Sequence, residues 1–152
     1  MASMKNSEWN MPFPMQTYLI GSLRNPRVAV LGNKMRKAGI NVFDDWFAAG
    51  PEADDKWQEY EQARGRLMHE ALKGAHAQDV FEFDKRNLDA SDTAVLVLPA
   101  GKSGHLELGY MVGRGKRAYI LLDGEPDRFD VMYNFATGVF IDEDALVREL
   151  LK

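Results

Sequence analysis

Short apolar runs alternate along this chain with segments whose apolar residues recur every three or four positions. The first run, Thr17-Tyr-Leu-Ile-Gly21, ends at Gly-Ser and predicts a strand. Asn25-Pro26 then reads as an N-cap followed by proline at the first helical position. Val28, Leu31 and Met35 carry that helix to Lys37, and Gly39 stops it. Ile40 to Phe43 predicts the second strand, closing on Asp44-Asp45-Trp46. From Phe47 to Ala77 much of the chain is expected to be helical, because Trp57, Tyr60, Arg64, Leu67, Met68 and Leu72 keep helical spacing. A further helix is expected from about Gln78 to Ala90. Thr93 to Leu98 predicts a buried third strand, ended at Pro99. A small-residue loop, Ala100 to Gly104, leads into a helix from Leu106 to Val112. Arg117 to Leu122 and Val139 to Ile141 predict the last two strands, and Asp142 caps a terminal helix, Glu143 to Leu151.

Repeated strand–helix units of this kind predict an α/β fold with right-handed crossovers. The expectation is a single three-layer domain over residues 17–152, with a central parallel five-stranded sheet, flavodoxin-like or Rossmann-like. Residues 1–16 read as an N-terminal tail. The 152 residues, 45% hydrophobic and 28% charged, suffice for one proper core. A net charge of −4 argues against a nucleic-acid polymer as partner. The absence of cysteine excludes disulfides and thiolate metal sites and fits a cytoplasmic location. No apolar stretch approaches the ~18 residues of a membrane span, and the first residues lack a signal pattern.

The strand, Gly/Ser loop and helix around residues 93–112 put backbone N–H groups at the carboxyl end of a strand, where open α/β sheets bind ligands. Glu107 is read as lying in the first turn of that helix, where the dipole favours its ionised form. A carboxylate there suits nucleophilic attack on a glycosidic carbon. Asp84, on the preceding predicted helix, can point toward the same crevice, and Tyr18 can present its hydroxyl to Glu107 from the first strand. Trp46, with Asp44 or Asp45, stands where a base would stack and pair, with Trp57 or Phe47 closing the pocket; Trp46 reads equally well as a core anchor. His69 and His76, seven apart on one expected helix, are too few for a metal site. Gly113-Arg-Gly-Lys-Arg117 follows a helix and reads as its cap and turn.

The order Tyr18, Gly21-Ser22, Asp84, Ser91-Asp92, Glu107-Leu-Gly-Tyr110, Gly115-Lys116 resembles the nucleoside 2-deoxyribosyltransferase superfamily, which includes the 2′-deoxynucleoside 5′-monophosphate N-glycosidases. The resemblance runs from about Tyr18 to Leu151 and is poor from Phe47 to Ala77. It implies that Glu107 is the nucleophile, Asp84 the acid or base-positioning group, and Tyr18 the group that orients Glu107. It also implies a glycosyl ester on Glu107, resolved by water or by a second base. No cofactor and no metal are implied, and the partner is a small nucleoside or nucleotide.

Gly21-Ser22-Leu23-Arg24 resembles the Gly-Ser-x-Arg turn that meets a 5′-phosphate in the monophosphate hydrolases. By the same resemblance, Gly101, Lys102, Ser103 and Gly104 would add phosphate or ribose contacts, and His105 bears on sugar selectivity. Phe129-Asp-Val-Met-Tyr133 matches a segment in which a methionine is presented to a neighbouring subunit, so Met132 implies a homodimer or larger homo-oligomer. Two other readings stay open: an NAD-cleaving glycohydrolase, and a non-catalytic nucleotide-binding or sensing module on the same fold.

Overall fold

The computed structural model describes residues 15–152. The expected tail lies outside the described residues as far as 14. Gln16 is already fastened to the domain: its side chain donates to Ser91 Oγ at 2.8 Å, and its carbonyl accepts from Asp92 N.

The chain runs β1 (Thr17–Ile20), α1 (Arg27–Lys37), β2 (Val42–Phe43), a 3₁₀ turn (Asp45–Ala49), α2 (Ala53–Ala63), α3 (Met68–Ala71) and α4 (Ala75–Asp89). It continues with β3 (Thr93–Val97), α5 (Lys102–Gly113), β4 (Arg117–Leu121), a second 3₁₀ turn (Val131–Phe135), β5 (Gly138–Phe140) and α6 (Glu143–Leu150). The five strands form one parallel sheet in the order β2-β1-β3-β4-β5, as the strand–helix alternation predicts.

Both faces of the sheet are covered, which is why its central strands read as unbroken apolar runs. Leu19, Val95, Val97, Tyr119 and Leu121 face α1 and α6, meeting Val28, Leu31, Met35, Leu146 and Leu150. Tyr18, Ile20, Ala94, Leu96, Ala118 and Ile120 point the other way, toward Leu88 of α4 and Leu108 and Met111 of α5. Each fully buried aliphatic side chain contributes roughly 1.5–3 kcal/mol of apolar transfer. Gly104 lets α5 lie close on this second face. A Cβ there would stand 2.9 Å from Leu96 Cδ1 and 3.3 Å from Ile20 Cγ2. Leu88, near the C-terminal end of α4, is the one buried residue of that helix.

Several boundaries differ from the sequence reading. The expected long helix between 47 and 77 is broken into the first 3₁₀ turn, α2 and α3. Gly50 and Gly65 adopt φ values of +90° and +74°, a left-handed backbone that ends helical propagation. Helix α4 starts at Ala75 rather than Gln78, so His69 and His76 belong to different helices. Strand β5 is one residue earlier than expected. Pro26 takes the cap position of α1; the Asn25 side chain still accepts from Arg27 N at 3.1 Å. The largest difference concerns α5, which begins at Lys102 instead of Leu106.

Candidate active site

In a sheet of order 2-1-3-4-5 the connections leave β1 and β3 in opposite directions, opening a crevice at their carboxyl ends. The loop after β1 is a fixed turn there. Asn25 N donates to Ser22 O at 3.0 Å, Arg24 N donates to Ser22 Oγ at 3.1 Å, and the buried Asn25 amide reaches Val97 O and Pro99 O. Gly21 is packed against Val28, with the Val97 carbonyl and the Trp46 ring close by.

Below this mouth, Tyr18, Asp84 and Glu107 come within electrostatic reach of one another. The ring of Tyr18 is buried, 5.1 Å from that of Phe43, which in turn lies 5.9 Å from Phe83. Burial pushes the Tyr18 hydroxyl far above its ordinary range, and the charges of Glu107 and then Asp84 push it the same way. Glu107 is raised to about 8, by burial first and by Asp84 second. Asp84 is raised to about 6, by burial first and then by the charge of Asp54 from the first turn of α2. Between these values the pair carries one proton, on Glu107, and one negative charge, on Asp84.

This corrects the electrostatic argument made from the sequence. Because α5 starts at Lys102, Glu107 is well inside the helix and beyond its first turn. The helix N-terminus does not hold Glu107 ionised; burial beside another carboxyl holds its proton. Lys102, Ser103 and Gly104 likewise form the start of the helix rather than a loop. Lys102 and Ser103 are exposed, as is the cap residue Gly101, whereas Gly104 is buried against the sheet.

Other expected residues are engaged elsewhere. The Asp44 carboxylate pairs with Arg36 and packs against Gly32 of α1. Asp45 is exposed at the start of the 3₁₀ turn. The Trp46 indole donates to Leu19 O at 2.7 Å and packs against both cores, the core-anchor alternative of its reading. Arg24 pairs with Asp55 of α2 and donates from Nε to Pro51 O at 3.5 Å. His105 Nδ1 lies 2.8 Å from the Gly101 carbonyl, which can only accept, so this nitrogen carries the proton. Its Nε2 therefore accepts from the Tyr133 hydroxyl at 2.9 Å.

His105 precedes Glu107 by two residues, roughly 200° around the helix. It faces a separate cavity of 420 Å³ on the far side of α5, lined by Leu108, Val112, Ile120, Met132, Tyr133 and Phe135 among others. Met132 is 60% exposed at its edge. Among the described residues, no three His, Asp or Glu side chains converge as a metal-binding group. No helix among them is long and apolar enough to cross a membrane.

The sequence reading missed Phe43 and Phe83, whose rings follow in line from that of Tyr18, and Asp54 and Asp55 of α2. An Asp-Asp pair opening a helix was visible, but its partners lie about thirty residues away on either side.

The fold and site together define a doubly wound, flavodoxin-like α/β domain with a paired-carboxyl crevice at its switch point. No family model and no curated protein matches the chain. Among solved structures it is similar to a conserved protein from Enterococcus faecalis V583, with a TM-score of 0.60 at 15% identity over 90% of this chain and 97% of that one. It is also similar to the CMP N-glycosidase BcmB of Clostridium botulinum, with a TM-score of 0.50 at 13% identity over 90% of this chain and 99% of that one. At these identities the likeness establishes the shared fold.

Proposed function

We propose that this chain cleaves the N-glycosidic bond of a nucleoside or nucleoside 5′-monophosphate through a covalent glycosyl ester on Glu107. The observation that carries the reading is the pairing of two raised carboxyls, Asp84 and Glu107, within electrostatic reach of Tyr18 at the switch point. A retaining glycosidase needs one carboxylate and one carboxylic acid at once, and this pair supplies both near neutral pH. The glycosidase activity of the Clostridium botulinum neighbour supports the same reaction class.

The free site keeps its proton on Glu107, the reverse of what attack requires, so substrate must shift it: positive charge growing at the anomeric carbon favours ionised Glu107 and leaves the proton to Asp84. A Glu107 oxygen attacks that carbon, the bond to the base nitrogen breaks, and the base leaves with the proton of Asp84. Asp84, now ionised, takes a proton from water, whose oxygen displaces Glu107 and frees the sugar. A second base in place of water would make the reaction a transfer. Tyr18 keeps its hydroxyl neutral within electrostatic reach of Glu107 and takes the role of orienting that carboxylate once substrate is bound. Phe43 and Phe83 supply an apolar wall for the sugar or base.

The reading includes a second copy of the chain. Leu106, Phe129, Val131, Met132 and Phe135 are 60–82% exposed around the far side of α5, an apolar surface suited to burial between subunits.

The test is chromatographic. Wild type and Glu107→Gln are incubated with deoxynucleosides, ribonucleosides, their 5′-monophosphates and NAD, with and without free base. Base release by wild type, lost in the variant, with a glycosyl adduct on Glu107 by mass spectrometry, is the expected result. Release of nicotinamide alone would move the assignment to NAD cleavage. Tight binding without turnover, unchanged in the variant, would make the chain a binding module.

A further inference from the structure

The crevice floor is acidic. Asp54, Asp84 and Glu107 all act there, and a substrate phosphate must be seated on a cation to approach them. Two guanidinium groups stand at the mouth, and one is committed to the fold. Arg27 is held by Glu143 at 3.0 Å, by Leu122 O at 2.9 Å and by Asp123 at 3.7 Å. Arg24 projects from the fixed turn after β1, and its partner is Asp55 in the first turn of α2.

We infer that Asp55 is a resident competitor for the substrate phosphate: it occupies the Arg24 guanidinium in the empty site and sets how strongly phosphorylated ligands are preferred. The inference rests on the proposed nucleotide site and adds a specificity-determining residue to it.

Three observations make the exchange feasible. First, both side chains are more than half exposed, at 65% and 55%, so water and salt screen the pair and its disruption is easy. Second, Asp55 loses little on release, because it stays in the first turn of α2, where the helix dipole favours a carboxylate. Third, a phosphate monoester carries up to two negative charges and offers the bidentate geometry that guanidinium prefers, so it outcompetes a single carboxylate. Arg24 leaves the carboxyl end of β1, the strand that carries Tyr18, in a fixed turn, so the Arg24–Asp55 pair stands at the strand-end mouth of the crevice rather than on a remote surface.

The experiment is a calorimetric binding cycle with ribose 5-phosphate and 2-deoxyribose 5-phosphate, and with the unphosphorylated sugars as controls. Wild type, Asp55→Asn, Arg24→Gln and the double variant are compared, with thermal melts to check folding. Asp55→Asn is expected to tighten sugar-phosphate binding about 2- to 5-fold and leave the plain sugars unchanged. Arg24→Gln is expected to weaken sugar-phosphate binding, and the double variant to match it.

Equal or weaker sugar-phosphate binding in a folded Asp55→Asn variant overturns the inference, as does an Asp55→Asn gain that persists without Arg24. Sugar phosphates have no base to lose, so the cycle is independent of turnover. A full Asp55 effect in a protein that releases no base would keep this inference and sink the glycosidase reading. Base release with no Asp55 effect would do the reverse.

Discussion

Asp84 on α4 and Glu107 on α5 lie within electrostatic reach of each other and of the buried Tyr18: burial first, and the charge of Asp84 second, raise Glu107 to about 8. Two carboxyls placed this way cannot both ionise cheaply, so near neutrality the site holds one proton and one negative charge.

The pH dependence of kcat/KM is expected to be bell-shaped. Activity rises as the pair loses its first proton near pH 6 and falls as it loses the second near pH 8. Glu107→Gln is expected to abolish turnover. A pH–rate profile with neither limb between pH 5 and 9 would contradict the paired-carboxyl site.

Stability should move the opposite way from that of a salt-bridged acid. The folded-state value of Glu107 is raised from 4.5 to about 8, so the folded protein holds the proton more tightly than the unfolded chain. Below pH 4.5 both states are protonated and the buried charge costs nothing. As pH rises toward 8 the cost grows, and above 8 it is complete. Glu107→Gln is therefore expected to stabilise the fold by ~2 kcal/mol at pH 9 and by little at pH 4. Urea melts at the two pH values measure it.

Tyr18→Phe keeps the ring packing against Phe43 and removes only the hydroxyl. Turnover is expected to fall by ~10-fold or more through kcat, with KM little changed. An equal loss from KM alone would mean that the hydroxyl binds substrate rather than orienting Glu107.

Gly104→Ala places a methyl 2.9 Å from Leu96 Cδ1 and 3.3 Å from both Ala100 Cβ and Ile20 Cγ2. Leu96 must repack and the 3.3 Å contacts must open by a few tenths of an ångström, at a cost of ~1–3 kcal/mol, shifting the α5 that carries Glu107. A lowered melting temperature together with lost activity is the expected pair of results.

Phe135→Glu, on the exposed apolar side of α5, is expected to convert an oligomer to a monomer by light scattering after gel filtration. Loss of activity in that monomer would show that a second copy completes the site. A wild-type monomer would remove the second copy from the mechanism.

The order of strands and helices was readable along the chain because both faces of the sheet are covered. Buried strands such as 93–97 stay apolar throughout, while α1 and α6 keep a one-sided stripe. The residues of the acid site were readable by type, since Tyr18, Asp84 and Glu107 are chemically conspicuous in their elements. The helix breaks at Gly50 and Gly65 were overridden by the periodicity of the residues around them.

What the sequence by itself determined was the list of elements, the parallel α/β class and the identity of the chemically capable side chains. Tertiary structure alone decided which of those side chains are free and in what protonation state. Packing took Asp44 for Arg36, Trp46 for the Leu19 carbonyl and Arg24 for Asp55. The same packing drew Glu107 out of solvent near Asp84 and left it neutral where the sequence predicted a charge. The physical reason is that periodicity and residue type are local along the chain, whereas pKa and pairing depend on burial and on charges contributed by residues distant in sequence.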